Sequence, residues 1–284
     1  MKTSLVLCTK NGGDRLGECL RRIEAMETPA DLQLVLVDNG STDGSSYQRL
    51  QDFGNASRHD SLVLQTYTPG NSAGRNLGLR HVTGDLILFI DDDCYVEPTF
   101  ASDWIDLFST RDIGFGSGMI KRYSEVHSDL GCNESPDEEF VAAGAWVRRG
   151  LIQGSNMAFR RECLNDAGPF DSRFGAGTRY AGEEWDVALR ANLAGWSGGY
   201  FPRPTVWHDH RRGGDTARER LLYYDFGAGA VYARTLFGKK GTRVLPALRG
   251  EFVYLLRHDR PRLTGLAAGF LDYALTRRRM PSST

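Results

Sequence analysis

Strands and helices alternate through the first hundred residues, which predicts an α/β fold: a mostly parallel sheet with helices on both faces. Two further observations support it. The apolar runs at 32–37 and 86–90 have the length and composition of strands buried on both sides, as parallel strands are. Each polar cluster of this part (9–11, 38–41, 71–76 and 91–93) falls just after a strand. That is the edge where open α/β sheets bind ligands. A helical C-terminal region completes the expected architecture.

The elements follow in order. Residues 4–8 read as a first buried strand, and Leu16, Cys19, Leu20 and Ile23 give 14–26 a helical period. Residues 32–37 form a second strand, broken by Asp38-Asn39-Gly40-Ser41. The third, 62–67, meets Pro69-Gly70-Asn71 and turns into a helix with Ser72 as its expected cap. Residues 123–139 are polar and aperiodic, a long loop of the kind that is usually functional or disordered in compact domains. Residues 153–159 resemble another strand, and 161–167 a short helix closed by Gly168-Pro169. Gly182 precedes a helix at 183–194, with Val187, Ala188, Ala191 and Leu193 as its apolar positions. Three amphipathic helices are expected at 221–237, 244–256 and 263–275.

Composition excludes several classes. With 284 residues, 40% hydrophobic and 25% charged, the chain is an ordinary globular protein with ample core. No apolar stretch approaches the roughly 18 residues of a membrane span. The N-terminus runs straight into a strand, so no secretory leader is expected. Five scattered cysteines without a C-x-x-C pair argue against a disulfide framework and a zinc site, and fit a reducing cytoplasm. Net charge is −1, yet 201–284 holds sixteen Lys and Arg against seven Asp and Glu. An acidic front and a basic tail point to different partners.

Asp91-Asp92-Asp93 closes the apolar run 86–90. Three adjacent carboxylates at the end of a buried strand raise one another's pKa and resist burial. A hard divalent cation with oxygen ligands, held together with substrate phosphates, resolves the conflict. An idle, solvated acidic loop is the plain alternative.

The motifs then carry a resemblance. In order they are 5–11 (LVLCTKN), 35–44 (VLVDNGSTDG), 74–78 (GRNLG), 89–93 (FIDDD), 182–190 (GEEWDVALR) and 204–208 (PTVWH). Together they resemble family 2 of the inverting glycosyltransferases, with its Rossmann-like GT-A fold, over about residues 4–210. The resemblance implies a catalytic, nucleotide-sugar-binding domain at 1–210 and a basic helical region at 211–284. It implies an activated nucleotide sugar as donor, a UDP-sugar first among them, and Mn²⁺ or Mg²⁺. Asp91 and Asp93 would hold the metal, and Asp92 would face the ribose or the donor sugar. Asp38 would accept a hydrogen bond from the base, with Thr9 and Asn11 lining the same pocket. Arg75 would reach the base or the phosphates, a surface arginine being its plain alternative.

Inversion by direct displacement needs a general base on the acceptor hydroxyl. The family's position for it falls on Glu184, where Asp is commoner; Glu183 and Asp186 stand close enough to keep the assignment open. Carboxylates there also favour a helix N-terminus. His208 matches a histidine that completes the metal site, with His210 as the alternative two residues on; imidazole suits Mn²⁺ better than Mg²⁺.

Two rivals share features. A sugar-phosphate nucleotidyltransferase would carry a glycine-rich basic stretch after the first strand, and Gly12-Gly13 and Arg15 only hint at one. A non-catalytic nucleotide-sugar-binding protein would not need the full carboxylate set. The G-x-G-x-x-G of a dinucleotide oxidoreductase is missing. The acceptor stays open among a glycan, a lipid-linked group and a small molecule, and no nucleic acid is expected. The basic tail is read as acceptor site, homodimer contact or peripheral contact with the inner membrane face, with a slight preference for a soluble enzyme.

Overall fold

The computed structural model describes residues 1–27, 32–211, 214–238 and 241–277, with backbone alone for 214–217. Arg212, Lys239, Lys240, Arg278 and Arg279 of the basic tail lie outside the described residues. Three strand–helix units open the chain: β1 (Thr3–Thr9) and α1 (Gly13–Glu24), β2 (Leu32–Asp38) and α2 (Ser46–Ala56), β3 (Asp60–Gln65) and α3 (Asn71–Leu79). β4 (Leu86–Asp91), β5 (Cys94–Val96), α4 (Phe100–Thr110) and β6 (Phe115–Arg122) follow. Then come β7 (Glu139–Val141), β8 (Asn156–Arg160), α5 (Arg161–Ala167), α6 (Glu183–Ala194) and β9 (Gly198–His208). α7 (Gly214–Leu236), α8 (Leu245–His258) and α9 (Arg260–Thr276) close the chain.

The strands form one sheet in the order β3-β2-β1-β4-β8-β6-β9-β5, with β7 beside β9. β3, β2, β1 and β4 pair in parallel, so their carboxyl ends share one edge. β8 enters antiparallel between β4 and β6, and β6 and β9 pair in parallel again.

Side-chain alternation along these strands makes two cores. Val6, Val35, Val37, Ile87 and Phe89 face one side, and Leu5, Leu7, Leu34, Leu36, Leu88 and Ile90 the other. Leu16, Cys19, Leu20 and Ile23 of α1, with Trp104 and Phe108 of α4, cover the second side. Trp185 and Val187 of α6 cover the first, joined by Val231 of α7, Leu255 of α8, and Leu266 and Tyr273 of α9. The C-terminal helices therefore share a core with the sheet. α7 and α9 cross closely: a Cβ at Gly229 would meet the Leu266 carbonyl oxygen at 1.9 Å, and one at Gly269 the Phe226 carbonyl oxygen at 1.8 Å.

One local expectation fails. Gly70 stands at the N-cap of α3, while the Ser72 hydroxyl donates to the Phe174 carbonyl at 2.6 Å. The hydroxyl finds a stronger use pinning a distant loop than capping its own helix. The loop at 123–138 carries no helix or strand, as its composition implies. Among the described residues no helix is long and apolar enough to cross a membrane.

Candidate active site

The register of the parallel strands assembles the site. Thr9 lies beside Asp38, and Cys8 beside Asp91, at the strand ends. β5 and β9 pair with Cys94 opposite His208, which brings the histidine next to Asp93. Cys8, Thr9, Asp91, Asp93 and His208 face a cavity of about 1290 Å³ that continues to the N-terminus of α6 and beneath α7 and α8.

The acids are under strain of their own charge. Burial, and after it the charge of Asp93, raises Asp92 to about 7, although Thr9 donates a hydrogen bond to it. Asp91 is raised by burial too, against the pull of Arg75. Asp93 accepts from Arg15 at 3.1 Å and lies 3.4 Å from His208 Nε2. Burial works against a charged His208, but hydrogen bonds to Asp93 and Cys132 and the charges of Asp93 and Asp91 outweigh it, raising the imidazole to about 10. Arg15 and His208 thus supply positive charge at a cluster that lacks it.

Among the described residues, Asp93, Cys94 and His208 form the group whose metal-ligating atoms all lie within 4.8 Å of one another. Cys94 was not foreseen; its one signal is its place directly after Asp93. Burial, with the charges of Asp93 and Asp91, pushes its thiol well up, so it is a poor ligand for a hard cation. Asp91 stands just outside this tight group and shows its carboxylate to the cavity. Crowded carboxylates with one imidazole suit an oxygen-seeking divalent ion such as Mn²⁺ or Mg²⁺.

Elsewhere on the lining, Gly182 adopts φ +101°, a conformation side chains resist, and starts α6, whose first turn holds Glu183, Glu184 and Asp186. Arg75 separates the first two in role. It is 2% exposed, donates to Glu183 at 2.9 Å, to Asp91 at 3.2 Å and to the Gly154 carbonyl at 3.2 Å. The surface alternative for Arg75 is therefore wrong; it is a buried tie between the two acid clusters, on the cavity wall. Glu184 also borders the cavity, and burial, then the charge of Glu183, pushes it well above the usual carboxylate range.

The other candidates hold loops. Asn11, at φ 56°, accepts the Thr42 and Asp43 amides at 2.7 and 3.1 Å and lines the cavity. Asp38 is fully buried, with its oxygens on the Ser41 amide and on Gln65 at 2.9 Å, and it does not line the cavity. Asp186 pairs with Arg190 at 3.0 Å and Arg234 at 2.8 Å, away from the cavity lining. His210 approaches the Ser128 carbonyl at 3.0 Å through Nε2, so of the two histidines His208 is the one in the metal-ligating group.

A parallel sheet with an acid–histidine centre at its carboxyl edge and an acid-tipped helix facing it defines the GT-A class. The profile of glycosyl transferase family 2 matches residues 4–166, and the chain belongs to that family. A pre-mycofactocin glycosyltransferase of Mycobacterium tuberculosis is 28% identical over 192 residues, 63% of this chain and 38% of that protein. The glycosyltransferase AglE of Haloferax volcanii is 21% identical over 198 residues, 68% of this chain and 62% of AglE. The chain thus spans less than two thirds of either relative's length. Among solved structures, the mannosyltransferase PcManGT from Pyrobaculum calidifontis, in complex with GDP-Man and Mn²⁺, superposes with a TM-score of 0.69 at 21% identity, over 96% of this chain and 75% of its own. S. aureus TarS 1-349 in complex with UDP-GlcNAc gives a TM-score of 0.69 at 15% identity, over 96% and 81%. At these identities the likeness establishes the fold.

Proposed function

We propose that this chain is a glycosyltransferase that moves a sugar from a nucleotide-diphosphate donor to an acceptor hydroxyl, by direct displacement with inversion. The observation that carries the reading is that two acid clusters share one cavity: Glu183 and Glu184 of α6 line it together with Asp91, Asp92 and Asp93, and Arg75 engages Glu183. A base and a diphosphate site opening on one cavity are what an in-line displacement requires.

Asp91, Asp93 and His208 would hold Mn²⁺ or Mg²⁺, which when bound supplies positive charge to the departing diphosphate. Thr9 orients Asp92 towards the donor, and Asn11 shapes the loop over it. Asp38 acts by bracing that loop through Ser41 and Gln65. Glu184 takes the proton of the acceptor hydroxyl onto its carboxylate. Burial and the charge of Glu183 raise the pKa of Glu184 above the usual carboxylate range, the direction that makes a carboxylate a stronger base, and Arg75 holds Glu183 beside it. Solved relatives in fold bind UDP-GlcNAc and GDP-Man, which supports a nucleotide sugar and leaves the base unassigned. The cavity's continuation beneath α7 and α8 supports a division in which 1–210 binds the donor and 211–284 closes the acceptor side.

Calorimetry with UDP and GDP, each with and without Mn²⁺, tests the reading. At least one nucleotide is expected to bind in a Mn²⁺-dependent way, and Asp91→Asn and Asp93→Asn are each expected to abolish that dependence without unfolding the chain. Undiminished Mn²⁺-dependent affinity in both variants would overturn the metal assignment. Binding without transfer or slow hydrolysis of any nucleotide sugar would favour a binding protein.

A further inference from the structure

The cavity does not end at the acid clusters. It runs on into a lobe walled by Trp146, Tyr224 and Tyr232, with four arginines at its surface. Three of these are neutralised locally: Arg148 by Glu139 at 2.6 Å, Arg149 by Asp225 at 2.7 Å and Glu251 at 2.9 Å, and Arg262 by Asp225 at 2.8 Å. Arg220 differs. Among the described residues no carboxylate lies within salt-bridge reach of it, and its Nε is buried with no hydrogen-bond partner. Its guanidinium rests over the rings of Tyr223 and Tyr224, 5.3 and 5.4 Å from their centroids.

Arg220 as a whole is half-buried, but leaving its buried Nε unmet is costly unless a ligand meets it. The perch is fixed as well: the Tyr223 hydroxyl donates to the carbonyls of Gly175 and Thr178 at 3.0 and 3.2 Å. Gly175 lies against Glu183, whose Cδ would be 3.4 Å from a Cβ built there. Arg220 is therefore held on the side of the cavity that carries Glu184. Flat aromatic walls beside a guanidinium suit a ligand with a ring or apolar part next to an anion, because arginine pairs with phosphate and carboxylate oxygens through a rigid fork.

We infer that the lobe beneath α7 is the acceptor subsite, and that it selects acceptors carrying a phosphate or carboxylate next to a ring or apolar portion, with Arg220 as the anion's partner. The inference rests on the glycosyltransferase reading above and adds the acceptor class to it.

The test uses phenyl phosphate as probe and phenyl β-glucoside as its neutral counterpart. Both are titrated into the full chain after the nucleotide site is saturated with Mn²⁺ and whichever of UDP or GDP binds. Phenyl phosphate is expected to bind saturably and more tightly than the glucoside. Arg220→Gln is expected to weaken it by roughly ten- to hundredfold, the range for a charge-assisted hydrogen bond. Arg220→Lys should retain part of the affinity, and nucleotide affinity and melting temperature should stay as in the parent. Sedimentation with phosphatidate vesicles that Arg220→Gln abolishes would assign the anion to a lipid headgroup; binding of phenyl phosphate alone would assign it to a soluble acceptor. Equal affinity for phenyl phosphate in parent and Arg220→Gln, with no Arg220-dependent vesicle binding, would overturn the inference. So would a parallel loss of nucleotide affinity, which would move Arg220 to the donor. If neither nucleotide binds the parent chain, the glycosyltransferase reading itself falls.

Discussion

Arg75 decides how Glu183 and Glu184 of α6 are read. A guanidinium 2% exposed has no solvent to lean on, so its carboxylates are structural necessities, and Glu183 is one of them. On the proposed reading Glu184 is the base. Glu184→Gln is expected to lower turnover by roughly a hundredfold or more, the usual contribution of general-base assistance, with donor affinity nearly unchanged. Glu183→Ala should behave differently. It removes one of the two carboxylates that Arg75 pairs with, and breaking a buried pair costs up to about 3–5 kcal/mol, read as a fall in melting temperature. Near-normal turnover in Glu184→Gln, beside a stable but inactive Glu183→Gln, would transfer the base to Glu183. The positions of Asp91 to Asp93 and of the α6 acids were legible because an apolar run or a glycine marks each locally. The burial of Arg75 was not, since it arises from a partner 108 residues away that no local pattern announces. Arg15 was equally hidden: its sequence neighbourhood hints at a different enzyme, while the fold swings it onto Asp93.

At the scale of elements, Arg234 of α7 ties α6 to the C-terminal region. It reaches Asp186 of α6 at 2.8 Å and Asp171 at 3.1 Å, and Asp171 also holds Arg173. Burial alone would raise the Asp171 carboxyl, but the hydrogen bonds from Arg173 and the charges of Arg173 and Arg234 win, lowering it to about 2. The sign follows: the folded chain binds this proton less readily than the unfolded one, whose carboxyl titrates near about 3.9. Its contribution, about 2.5 kcal/mol, is therefore fully present above about pH 5 and fades as pH falls through 4 towards 2. Asp171→Asn should denature at lower urea concentration than the parent at pH 7, with the gap closing between pH 5 and pH 2. A gap unchanged across that window would show that Asp171 acts through shape alone. Element boundaries illustrate the same limit of sequence reading. α5 and α6 appear where 161–167 and 183–194 were expected, bounded by Gly168 and Gly182. α2 and α4 escaped notice: α2 buries only Ser46 and Leu50, and the clustered apolar residues of α4 lack the punctuation that betrays a helix start, its Thr99 making no side-chain cap.

On the scale of the whole molecule, the basic tail is less free than its composition implies. Arg234 and Arg262 are spent inside the fold, and Arg211 pairs with Asp14 and Asp209. Among the exposed residues of α8 and α9 are Arg249, Arg257 and Arg260, with a stripe of Leu245, Phe252 and Leu256 along α8 at spacings of seven and four; Tyr254, Leu271 and Leu275 are exposed outside that stripe. Three arginines near an anionic bilayer contribute about 3 kcal/mol. The stripe's side chains are already about half covered by the protein, so their further burial adds about 3 kcal/mol more. The total at low salt is about that of one myristoyl chain, which gives only marginal, reversible attachment. At physiological ionic strength the arginine share is screened within a Debye length of about 8 Å, and the remaining half is too small to hold the protein. Co-sedimentation with anionic vesicles is thus expected at low salt and lost at physiological salt. Phe252→Ser with Leu256→Ser should weaken the low-salt binding and leave nucleotide affinity unchanged. Sedimentation that persists at physiological salt would mean the stripe inserts more deeply than its exposure allows, and would make the C-terminal helices a membrane anchor instead of a wall of the acceptor site.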